Sequence, residues 1–169
     1  MKNYYQLSSA IFLFFLSHFV YAHSLNGTLG KSTSNDFAQD VYLVTCAADD
    51  EGASDHLDVQ IKTRSPKNTT SVINYAKLNV QISNNGSLSS VETDPINGDS
   101  FFSPFASLSS GAVQYTVTVT KPVAIATTCD NDKVFAAAPN KAYAYTMQYH
   151  CKASGNTHTG TTIKITTNN

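Results

Sequence analysis

Short runs in which large apolar and polar side chains alternate recur along this chain. From Tyr143 to Cys151 the odd positions are Tyr143, Tyr145, Met147, Tyr149 and Cys151, with Ala144, Thr146, Gln148 and His150 between them. Successive side chains of a strand point to opposite faces, so this period of two puts every large apolar group on one face. Tyr42-Leu43-Val44-Thr45-Cys46 repeats the pattern, with Tyr42, Val44 and Cys46 in phase. Leu57, Val59 and Ile61 alternate with Asp58, Gln60 and Lys62, and Leu78, Val80 and Ile82 enclose Asn79 and Gln81. Val113, Tyr115, Val117 and Val119 alternate with Gln114, Thr116, Thr118 and Thr120, and Ile163 and Ile165 mark a last strand over Thr161 to Thr166.

Turn chemistry separates these runs. Asn84-Asn85-Gly86 offers the left-handed residues of a tight hairpin and predicts Ser87 to Glu92 as the returning strand. The acidic stretch Ala47 to Asp55, Pro66-Lys67-Asn68-Thr69 and Asp94 to Asp99 read as further turns or loops. Ser24 to Asp36, polar and carrying Gly27 and Gly30, reads as an edge strand or an ordered arm, and Phe101, Phe102 and Phe105 around Pro104 as a plug for one end of the fold. No apolar set recurs at helical spacing for three turns. The expectation is an all-β domain of about seven to nine short strands, an antiparallel β-sandwich.

The first 22 residues stand apart: Lys2 gives a positive start, Ala10 to Tyr21 is almost wholly apolar, and Val20-Tyr21-Ala22 has a small-residue cleavage pattern. They read as a secretory signal cut before His23, the apolar run being too short to span a bilayer. The expected organisation is residues 1–22 as signal peptide and 23–169 as one β-sandwich domain in a secreted or periplasmic protein, with no membrane span after processing. Without that segment the chain carries 10 basic and 12 acidic residues, and no block of like charge. Such a balance gives no electrostatic footprint for nucleic acid or an anionic membrane surface.

Cys46, Cys129 and Cys151 permit three single pairings. Cys46 and Cys151 each occupy a strand in phase with core positions, whereas Cys129 precedes the polar turn Asp130-Asn131-Asp132. The expected bridge is therefore Cys46–Cys151, with Cys129 free or bonded to another chain. Tyr149-His150-Cys151 also resembles the Tyr-x-Cys of immunoglobulin-type domains, a resemblance that implies an Ig-like sandwich and carries no function.

A histidine at a mature amino terminus has a chemical property of its own: its α-amine and Nδ1 can close a chelate ring on one metal ion. A further imidazole gives three nitrogens roughly in a plane, an arrangement suited to Cu(II). His56, His150 and His158 are the other histidines after residue 22. By strand phase His150 points away from the core, His56 starts a strand, and His158, in Gly155-Asn156-Thr157-His158-Thr159-Gly160, lies on a hairpin loop that most easily meets His23. The expected metal ligands are thus His23 and His158. In beginning with His after processing, the chain resembles secreted copper β-sandwich proteins, among them lytic polysaccharide monooxygenases and periplasmic copper carriers, and the resemblance implies copper as the cofactor.

Other chemistries find less support. Asp49-Asp50-Glu51-Gly52 with Asp55 lacks the spacing of a known calcium loop, no Gly-x-Ser-x-Gly elbow occurs, and no CxxC is present. Asn68-Thr69-Thr70 matches a glycosylation acceptor. Three nitrogens explain capture of an ion while no residue argues for a reaction on it. The function expected is therefore an exported binding protein for Cu(II), its partner the metal ion or a further protein. The competing expectation is a structural or adhesive surface module without metal.

Overall fold

A computed structural model describes residues 23–30, 38–64, 78–94, 100–111, 114–121 and 142–168. The proposed signal segment, the turns at Pro66 and Asp130, Asn68, Val113 and Cys129 lie outside the described residues. Among the described residues ten strands follow one another: β1 (His23–Leu29), β2 (Gln39–Ala47), β3 (His56–Thr63), β4 (Asn79–Asn84), β5 (Ser87–Leu88), β6 (Glu92–Thr93), β7 (Ala106–Ser109), β8 (Gln114–Thr120), β9 (Tyr143–Lys152) and β10 (Gly160–Thr167). They form two antiparallel sheets, one ordered β1-β9-β3-β7 and the other β10-β2-β8-β4-β5, with β6 also paired to β4. The fold is an all-β sandwich, as the alternation predicts, with no helix among the described residues.

The alternating runs of β2, β3, β4, β8 and β9 contribute their described apolar residues to the space between the sheets. Val59, Ile61, Tyr145 and Met147 from one sheet and Tyr42, Val44, Val80, Ile82, Val117 and Val119 from the other are buried in one cluster. Burying each such aliphatic side chain contributes about 1.5–3 kcal/mol. Cys46 on β2 and Cys151 on β9 are bonded across the sheets with Cα atoms 5.6 Å apart, the pairing expected from their phase. Asp94 makes a second tie: its backbone N–H donates to Leu78 O (3.2 Å) beside β4, and its Oδ2 accepts from Thr63 N–H (2.6 Å) on β3.

Asp40 lies in the core-facing row of β2 and is fully buried. Its Oδ2 accepts a hydrogen bond from Tyr145 Oη (2.6 Å), and Tyr42 Oη donates in turn to Tyr145 Oη. Tyr145 reaches this position by passing under Gly27, its register partner on β1. A Cβ on Gly27 would stand 2.7 Å from Tyr145 Cε1 and closer still to Cζ and the hydroxyl.

Two expectations change, and one strand is added. The strand after Asn85-Gly86 breaks at Ser89, whose Oγ accepts from Ile82 N–H (2.9 Å), and pairing resumes only at β6. β7 has only four residues, too few to show an alternation. The Phe101, Phe102 and Phe105 plug is not formed: Phe101 is 68% and Phe105 44% exposed. It is Ser103 that docks on β3, its N–H donating to Ile61 O (2.7 Å) and its Oγ accepting from Ile61 N–H (3.0 Å). The neighbouring rings therefore turn outward, with Lys62 Nζ 4.6 Å from the Phe102 ring and Lys152 Nζ 5.5 Å from that of Phe105.

β10 forms an edge of the larger sheet. Ile163 and Ile165 pair with the buried Val44 and Tyr42, the register shifts by one residue at Thr166, and Ile165 is 45% exposed.

Candidate metal centre

On the outer face of the smaller sheet, strand register assembles a polar grid at one end of β9. Directly opposed residues of antiparallel strands share a face. One row therefore runs Ser107, Asp58, His150 across β7, β3 and β9. The next row runs Ser109, His56, Lys152, and a bridge from Lys152 to His158 extends it into the β9–β10 connection. His23 opens β1 opposite Tyr149, the neighbour of His150.

Two histidines of the β9–β10 hairpin, His150 and His158, meet His23 from the start of β1 here. The rings of His150 and His158 have centroids 4.5 Å apart, and those of His23 and His150 6.3 Å; the His23 ring also lies 5.6 Å from that of Tyr149. Strand phase turns His150 off the core face, as the alternation predicts, yet the residue is only 5% exposed. Its Nδ1 is buried without a hydrogen-bond partner. A buried polar atom without a partner is costly and calls for an explanation.

The electrostatics favour the neutral form of the His150 and His158 rings. Burial, reinforced by His158, His23 and Lys152, pushes the His150 pKa down to about 4, against a smaller opposing pull from Asp58. Burial, with Lys152 and His23, lowers that of His158 as well. A neutral imidazole with an unengaged ring nitrogen is the form that ligates a metal. The neighbouring carboxylate is already occupied: Asp58 Oδ2 receives Lys152 Nζ at 2.7 Å, Oδ1 receives Ser107 Oγ, and His56 Nε2 lies 3.7 Å away. His56 Nδ1 is in turn 3.1 Å from Asp55 Oδ2.

Ring spacing can be compared with coordination geometry. With metal–nitrogen bonds of about 2.0 Å, an imidazole centroid sits about 3.2 Å from the ion, so two rings on one ion lie about 4.5 Å apart when adjacent and about 6.4 Å when opposite. The two observed separations, 4.5 and 6.3 Å, are of this size, while among the described residues no three His, Cys, Asp or Glu side chains are grouped so as to hold a metal ion. His23 is exposed and at a strand end, and His158 is half-buried on a connection.

The sequence-predicted pair His23 and His158 is thus in one neighbourhood, joined by His150, which sequence reasoning set aside. The phase of His150 was legible and its burial was not, because the group covering it belongs to a later connection.

Comparison with family models, curated proteins and solved structures gives no match.

Proposed function

We propose that the chain is exported, cut between Ala22 and His23, and binds one Cu(II) ion through the freed α-amine and imidazole of His23 together with His150 and His158. The observation that carries this reading is the unpartnered, buried Nδ1 of His150, packed against His158 and beside His23. Four nitrogens are the tetragonal set that Cu(II) prefers. They also fill the plane, which favours capture and carriage over a reaction at an open position. The disulfide fits an oxidising compartment.

A surface module without metal is the second reading, favoured by the exposed Phe101, Phe105 and Leu88. Titration of the processed protein with Cu(II), followed by electron paramagnetic resonance, separates the two. Tight one-to-one binding with couplings to several nitrogens is expected. One extra residue ahead of His23 should abolish the amine ligand, and His150→Ala should remove one nitrogen. Binding no tighter than that of a scattered surface histidine, and indifferent to both changes, refutes the copper reading and leaves the surface module.

A further inference from the structure

β9 belongs to the smaller sheet and β10 to the larger, so the connection between them changes sheets, and it does so beside His150 and His158. An antiparallel bridge pairs Lys152 with His158, which sets Cys151 opposite Thr159. Residues that face one another at a hydrogen-bonded position of an antiparallel pair exchange two backbone bonds. One of them is present, from Thr159 N–H to Cys151 O (2.8 Å). A side chain takes the place of the other: Cys151 N–H donates to Thr161 Oγ1 (3.0 Å), and that hydroxyl donates to Thr159 O (3.0 Å). A hydroxyl has one proton to give and lone pairs to receive another, so a single oxygen completes both halves. Thr161 stands at this point because it is the register partner of Cys46, which the disulfide ties to Cys151. It also shares the phase of Ile163, which packs against the core.

The two backbone groups joined by this hydroxyl directly follow two histidines of the site, since Cys151 comes after His150 and Thr159 after His158. His150 shares a face of β9 with Lys152, and His158 shares it across the bridge, so the two rings are diagonal neighbours with centroids 4.5 Å apart. Diagonal neighbours of a regular ladder start about 7–8 Å apart, so a small change in the offset of the two backbones decides whether the rings meet.

We infer that Thr161 is a positioning residue of the metal centre: its hydroxyl, set between Cys151 and Thr159, fixes the offset at which the His150 and His158 rings pack and so presents them as a pair. What the pair holds rests on the copper reading; the pairing itself does not, and is measurable without metal.

The test compares Thr161→Val, which removes the hydroxyl at nearly constant volume, with Thr161→Ser, which keeps it. In the metal-free protein, two-dimensional proton NMR should show a nuclear Overhauser contact between ring protons of His150 and His158 in the wild type and in Thr161→Ser, and none in Thr161→Val. Thr161→Ala should act as the valine does and replaces it if the valine variant does not fold. Loss of a group that orients metal ligands weakens metal binding by about ten- to a hundredfold, so a Cu(II) titration should find Thr161→Val at least about tenfold weaker, with altered nitrogen couplings, and Thr161→Ser within about twofold of the wild type. Absence of the ring contact from the wild type, its retention in Thr161→Val, or its equal loss in Thr161→Ser overturns the inference, whatever the wild type's affinity for Cu(II). A ring contact that follows the hydroxyl in a chain that binds no Cu(II) supports the positioning and refutes the copper reading.

Discussion

Replacing Gly27 by Ala tests the central packing relation of the fold with one methyl group. The new Cβ would lie 2.7 Å from Tyr145 Cε1 and nearer to Cζ and the hydroxyl, and Tyr145 is fully buried. The ring can yield only by giving up its hydrogen bonds to Asp40 and Tyr42, or else β1 must lift from β9. Loss of a hydrogen bond to a charged group costs about 1.5–3 kcal/mol. Overpacking costs about 1–3 kcal/mol. Removing a glycine from a strand returns about 0.5–1 kcal/mol. Since ring movement relieves the clash as it breaks the bond, the first two costs overlap, and the expected net loss is about 2–4 kcal/mol. Urea unfolding followed by far-ultraviolet circular dichroism measures it; the chain has no tryptophan to serve as a probe. In a Tyr145→Leu background the same change should be neutral or slightly stabilising, a coupling of at least about 2 kcal/mol. A Gly27→Ala cost within about 0.5 kcal/mol of zero, or an equal cost in both backgrounds, refutes the reasoning.

Three further outcomes are expected. Replacing Cys46 and Cys151 together by Ala removes a link between residues 105 apart, and should lower unfolding free energy by about 4–5 kcal/mol; a loss below about 1 kcal/mol would show that the bridge adds little. Asp58→Asn leaves the largely buried Lys152 ammonium without its carboxylate and should cost about 3 kcal/mol, most of it recovered in Asp58→Asn/Lys152→Met; a double variant no better than the single one contradicts the pairing. For the metal-free protein, His150 titrates near 4 when folded and at about 6.5 when unfolded, so the unfolded chain takes up a proton that the native state refuses. Its contribution is fully present above about pH 6.5 and is lost as the pH falls towards 4, and His150→Gln should flatten that part of a urea-midpoint profile; an unchanged slope would exclude His150 as the cause.

The sandwich was legible because its strands obey a period of two over five or more residues, and the disulfide because Cys46 and Cys151 are both in the apolar phase. β6 and β7 were not, because two or four residues show no period. The phenylalanines misled for a physical reason: hydrophobicity predicts burial on average, but in this segment the hydroxyl of Ser103 satisfies the β3 backbone, and docking the serine leaves Phe101 and Phe105 outside. At the site, sequence reasoning reached His23 and His158 through terminal chemistry and loop position. It passed over His150 and Asp58 because outward phase ordinarily means solvent. His150 packs against His158 on the following connection, and Asp58 meets Lys152 and Ser107 from neighbouring strands, contacts that strand phase alone does not show.

The edge strand β10 has a property visible only when it is read backwards. Thr161-Thr162-Ile163-Lys164-Ile165-Thr166-Thr167 is a palindrome centred on Lys164. A second molecule brought antiparallel to this edge about that centre would meet Thr with Thr and Ile with Ile, a row that β-branched side chains favour. The same symmetry sets the two Lys164 ammonium groups face to face, and like charges directly opposed repel. The irregularity at Thr166 further spoils the ladder, since its Oγ1 already bonds Val41 O (2.9 Å) on its own sheet. The outer margin of the sandwich is thus self-matching in shape and self-repelling in charge, and the lysine at its midpoint discourages one sandwich from continuing into the next.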